Sequence, residues 1–172
     1  TGGVSRRAAI QRNLLPVMLQ WFADGADPDH GLLAFRRLSD DLGEAYWFLR
    51  MLRDSSGAAQ RLTQVLSGSR FVSNLFERIP EAAAWLENEE ELRPRPLPAL
   101  LEESAAILAR HDGDEAAAAL ALRTARRREV LRTALGAILG VTSIDEIGFA
   151  LTDITTAVLS GTLGLVHRFG DG

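Results

Sequence analysis

The densest group of chemically able side chains in this chain is Arg126-Arg127-Arg128-Glu129. A guanidinium presents five donors in a planar fork that matches carboxylates and phosphates, so this run points to ion pairing or anion contact and not to bond-making. On a helical projection of about 100° per residue, Arg127 falls on the stripe of Leu120, Thr124, Leu131, Leu135 and Ile138, while Arg126 and Glu129 point away. An arginine on an apolar face needs a carboxylate or carbonyl partner. Arg127 therefore reads as a structural pair-maker or as a contact to a phosphate-bearing neighbouring domain, with Arg128 beside it. If Arg127 is buried and paired, its loss should cost roughly 3 kcal/mol.

No other group assembles a reactive constellation. His30, His111 and His167 lie far apart, and no two have metal-ligand spacing. Glu87, Glu89, Glu90 and Glu91 lack the glycine turn and alternating oxygens of a calcium loop, and such a run is normally solvated. The chain has no cysteine, which excludes a thiol nucleophile, a disulfide framework and a zinc knuckle. The expectation is that the chain holds no catalytic, cofactor-binding or metal-binding residue.

Composition bounds the partners. The 172 residues are 47% hydrophobic, enough for one domain with a real core. All 19 basic residues are arginine, and the net charge of −4 argues against nucleic acid as a partner. No apolar stretch reads as approaching the roughly 18 residues of a membrane span, so no membrane partner is expected. The cysteine-free composition suits a cytoplasmic location. Thr1-Gly2-Gly3 opens the chain without a start methionine, which suggests a piece of something longer.

The elements that must position these residues are helical. Helix formers dominate and no β-branched run alternates, so the fold class is all-α. Val4 to Ala23 has apolar residues at Ile10, Leu14, Val17, Met18 and Trp21, with a kink or break expected at Pro16. Asp27-Pro28 opens a helix to about Leu42. Glu44 to Arg53 is so apolar that it reads as the core element, with Trp47 and Trp21 inside. Serine-glycine restarts open helices at 58–66 and 70–78, and Pro80 begins a short one to Leu86. Residues 87–98 combine an acidic run with three prolines and read as a solvated linker, Arg93-Pro94-Arg95-Pro96 being a rigid connector and not a polyproline ligand. This gives a single domain over 1–172, made of a helical subdomain 4–86, the linker 87–98 and helices over 98–168.

The chain should end in a long antiparallel helix pair. Asp114 can cap a helix over 114–139, and Ser143-Ile144-Asp145-Glu146 is a capping box opening one over 143–168. The short connection between them enforces antiparallel packing, and Gly136, Gly140, Gly161 and Gly164 would let the helices approach closely. On the last helix Ile147, Leu151, Ile154, Val158 and Leu165 make one stripe, while Phe149, Thr156 and Leu163 make a second on the opposite side. A helix in a complete domain needs one apolar face, so Phe149 and Leu163 are candidate contacts to something further.

Arg126 to Arg132, Leu135 to Val141, Ser143 to Ile147 and Leu151-Thr152-Asp153 together resemble the helices that precede the nucleotidyltransferase core in glutamine synthetase adenylyltransferases. Upstream, Leu14 to Ala23, Asp24 to Asp29, Gly31 to Leu38 and Ser69 to Pro80 resemble the start of that family's AMP-adding half. The resemblance runs from about Ser5 to Arg168. It implies a protein with an AMP-removing half and an AMP-adding half, each with a core marked by Gly-Gly-x-Glu-Leu followed by Ser-Asp-x-Asp, the acids that hold magnesium and ATP. Neither segment occurs here, so no catalytic residue carries over. The implied role is a non-catalytic helical subdomain of an enzyme that transfers AMP from ATP to glutamine synthetase in the control of nitrogen metabolism. The implied partners are the downstream nucleotidyltransferase core of the same chain, glutamine synthetase and a PII-type signalling protein. The alternative is an unrelated helical adaptor that shares only composition.

Overall fold

Small side chains set the centre of the first half of the chain. In the computed structural model, which describes residues 2–170 with side chains from Arg12 onward, the helix Ser56–Gly68 (α4) buries Ala58, Ala59, Leu62, Thr63, Val65, Leu66 and Ser67. Alanine, serine and threonine let neighbours approach on several sides, and the hydroxyls are satisfied within the helix. Thr63 Oγ1 donates to the Ala59 carbonyl at 3.0 Å and Ser67 Oγ to the Thr63 carbonyl at 2.7 Å.

Around α4 pack Gly2–Ala23 (α1), Pro28–Leu42 (α2), Tyr46–Asp54 (α3), Arg70–Arg78 (α5) and the 3₁₀ segment Pro80–Glu87. The expected cap forms at Asp27, which accepts from the His30 N–H, and at the two restarts Ser55 accepts from Ala58 and Ser69 from Val72. Three expectations are corrected. Pro16 does not break α1, which runs on through it as one helix, a single lost hydrogen bond being carried by its neighbours. α3 buries only the stripe Phe48, Met51 and Leu52 and leaves Tyr46 exposed, so α4 and not α3 is the central element. Trp21 and Trp47 are half-buried, and the buried tryptophan is Trp85. The Ile10 side chain lies outside the described residues.

The chain divides into two compact units, one up to Leu92 and one from Arg93. The division falls within 87–98. The glutamates of that stretch are exposed, but they are ordered into a second 3₁₀ segment, Glu89–Leu92, by the fully buried Leu92 and by Arg61, which donates to the Leu86 carbonyl at 2.8 Å and pairs with Glu89.

The second unit is a three-helix bundle of Leu97–Arg110 (α6), Glu115–Ile138 (α7) and Ile144–Phe169 (α8). Leu100 clusters with Ile154, Ser104 Oγ donates to the Ala157 carbonyl at 3.3 Å, and Arg168 Nη1 donates to the Leu108 carbonyl at 2.9 Å, so α6 and α8 run parallel. α7 runs antiparallel to both, with Leu122 against Gly161 of α8 and clustered with Leu108 of α6. The fold is all-α with no strand among the described residues, and it ends in the expected antiparallel pair.

Candidate functional site

The end of α7 and the start of α8 are fixed by local chemistry. Asp114 accepts from the Ala117 N–H at 3.0 Å to start α7, which terminates at Gly140, whose φ of +70° suits glycine. Ser143 Oγ accepts from the Glu146 N–H while the Glu146 carboxylate accepts from the Ser143 N–H at 2.7 Å, completing the capping box. Hydrogen bonding to the carboxyl itself, from the Ser143 backbone N–H first and the Ser143 hydroxyl second, holds Glu146 below its ordinary pKa.

Close packing then comes from α8. A Cβ on Gly161 would lie 2.8 Å from Leu122 Cδ2, and one on Gly164 would lie 2.5 Å from Leu108 Cδ1. Gly161 thus seats a leucine of α7, as expected, whereas Gly164 seats one of α6. Gly136 is buried, and Gly140 serves the turn with open space around it.

The bundle side of α7 is made of Ala118, Leu122, Ala125, Glu129, Arg132 and Gly136, at intervals of three and four residues. Leu131 and Leu135 are fully buried on a different face. Of the stripe read from the sequence, Leu120 and Thr124 are exposed, and Glu129, expected to point away, is buried. Its two oxygens hold a small ion network. Oε2 accepts from Arg132 Nε at 3.3 Å and Oε1 from Arg95 Nη1 at 3.1 Å, and Arg95 also pairs with Glu103 of α6. Burial works against the charge of Arg95, but the hydrogen bonds it donates to Glu103 and Glu129 outweigh it and raise its pKa. The connector arginine is thereby tied to both α6 and α7.

The four residues singled out from the sequence do not converge. Arg127 is half-buried on the side of α7 opposite Glu129. Arg128, also half-buried, lines an open depression between α6 and α7 with Glu103, Arg110 and His111. Phe149 and Leu163 are both exposed on α8, about 21 Å apart along its axis. Sequence reasoning missed Glu129 and Arg132, although their spacing of three on a helix is the signal for an ion pair.

Nor do the histidines meet. His30 Nε2 lies 3.1 Å from Ser73 Oγ, while His111 follows α6 and His167 is exposed in the last turn of α8. Among the described residues no three His, Asp or Glu side chains form a group able to hold a metal. Among the described residues no donor set fits the magnesium that the resemblance implies for the parent enzyme. One cavity of about 280 Å³ lies between α1, α2 and α3, lined by Leu14, Met18, Leu32, Phe35, Phe48 and Leu52, with Arg36, Ser39 and Asp40 as its polar groups. That arrangement can enclose apolar surface.

Residues 59–169, from within α4 to the end of α8, match the family model of glutamate-ammonia ligase adenylyltransferase. The chain belongs to the glutamate-ammonia ligase adenylyltransferase family. Over 99% of its length it is 66% identical to a protein of Leifsonia xyli subsp. xyli named bifunctional glutamine synthetase adenylyltransferase/adenylyl-removing enzyme. Proteins of the same name from Streptomyces coelicolor and Cutibacterium acnes are 46% and 45% identical over 96% and 98% of the chain. The chain spans 17–18% of the length of these relatives. No solved structure matches. Family membership removes the reading of an unrelated helical adaptor.

One further expectation is corrected. α8 is long and apolar enough, by length and composition, to cross a membrane. Sequence inspection missed this because threonines and glycines dilute its leucines. In this fold one side of α8 packs on α6 and α7.

Proposed function

We propose that this chain is a non-catalytic helical part of a glutamine synthetase adenylyltransferase, an enzyme that transfers AMP from ATP to glutamine synthetase in the cytoplasm. The observation that carries the reading is 66% identity over 99% of the chain to a relative of that name, in a sequence with neither Gly-Gly-x-Glu-Leu nor Ser-Asp-x-Asp. ATP and magnesium bind elsewhere in the parent. The helices serve as scaffold and as surface for the nucleotidyltransferase core, for glutamine synthetase or for a PII-type signalling protein. Arg127 and Arg128 are candidate contacts on α7, and Phe149 and Leu163 on α8.

Isothermal calorimetry tests the non-catalytic part of this reading. The 172-residue chain is expected to give no binding heat with ATP and magnesium at micromolar to submillimolar concentration. Saturable binding in the micromolar range would overturn it.

A further inference from the structure

The outward side of α8 is apolar far beyond what the bundle needs. Ile144, Phe149, Leu151, Leu159, Leu163 and Val166 are all exposed, several by more than half. From Ile147 to Val166 the only charged residue is Asp153, in a chain that is 24% charged. The threonines do not relieve this. Thr152, Thr155, Thr156 and Thr162 each donate their hydroxyl to the carbonyl four residues earlier at 2.9–3.0 Å, so their polar atoms are already satisfied and their methyl groups remain to be covered. A single exposed leucine carries no meaning, but this face continues along about 33 Å of helix.

We infer that the outer face of α8 is the seat of the remaining part of the family polypeptide, docked in the same chain through an apolar, charge-poor surface. The inference rests on the function proposed above. The chain accounts for 17% of the length of its Leifsonia relative, so most of such a polypeptide lies outside it. Permanent interfaces resemble a domain core cut in half, whereas transient partners meet through more polar and charged surface. A face with its threonine hydroxyls internally bonded and no charge over most of its length has the permanent character.

The chain contains no cysteine, so Leu159→Cys gives it a unique thiol on this face. Its maleimide reaction, followed by the mass of the peptide that carries it, is compared in the 172-residue chain and in the full-length family polypeptide of the same organism. The expected result is a monomeric short chain with a freely reacting thiol and at least about 10-fold slower reaction in the full polypeptide. Equal rates would overturn the inference. So would protection of the short chain that rises with its own concentration, which assigns the face to a second copy, or protection only with phosphatidylglycerol vesicles, which assigns it to lipid. Thr155→Cys, nearly isosteric and central on the face, repeats the measurement if Leu159→Cys unfolds. The readout is reactivity and not AMP transfer. A protected thiol in an enzyme that works without these helices would sink the functional reading and leave the docking standing.

Discussion

Glu129 and Arg127 sit two residues apart on α7 and differ in what each loses on substitution. Glu129 and Arg132 are each about 8% exposed at the side chain and pair with one another, so Arg132→Ala takes the Arg132 donor from buried Glu129 Oε2 and leaves its carboxylate with Arg95 as its remaining arginine partner in the network. Arg132→Ala should cost roughly 3 kcal/mol in urea unfolding, whereas Arg127→Ala on the half-buried side should cost less than about 1 kcal/mol. Equal losses would mean that the network contributes nothing specific. Two cap carboxylates set an acid dependence. Asp27, bonded first to the His30 N–H and then to Arg70, and Glu146, bonded to Ser143, are both held below their ordinary pKa. Because the folded-state values are the lower ones, their contribution is present above the ordinary carboxylate range and is lost as pH falls through about 4 and below. Thermal midpoints measured down this range should fall, and less steeply in Asp27→Asn and Glu146→Gln; unchanged slopes in both variants would contradict the assignment.

Each helix of the second unit was legible to the extent that its ends and its large side chains carry signals. Asp114, Ser143 and Glu146 announce their caps in the sequence, and α7 and α8 begin where those residues place them. The facing of α7 was not legible. Its bundle side is built from Ala118, Ala125, Gly136 and an ion pair, none of which registers as an apolar stripe, while Leu120, which does register, is exposed. The same blindness to small residues moved the centre of the first unit from α4 to α3. On α8 the two-sided pattern was readable in part: Phe149 and Leu163 are exposed opposite the buried Ile154 and Leu165, but Leu151, expected in the inward stripe, is 46% exposed. The helix pair yields its own test at Gly161. A valine there meets Leu122 within van der Waals distance, so Gly161→Val should cost roughly 1–3 kcal/mol, and Leu122→Ala in the same chain should recover part of the loss. Strict additivity of the two changes would deny the contact.

At the scale of the whole molecule, the fold class followed from composition, and the family from motifs spread along the chain. The division at Leu92 was harder to place, because the acidic stretch before it looks like linker until Leu92 and Arg61 are seen to hold it. The central claim, proposed above from the identity to the Leifsonia relative, is that these helices support chemistry performed elsewhere in the polypeptide. AMP incorporation into glutamine synthetase from radiolabelled ATP tests it most directly, comparing the 172-residue chain, the full-length family polypeptide and the same polypeptide lacking residues 1–168. The account predicts activity in the full-length form alone. Full activity without the helices, or any activity in the 172-residue chain, would contradict it.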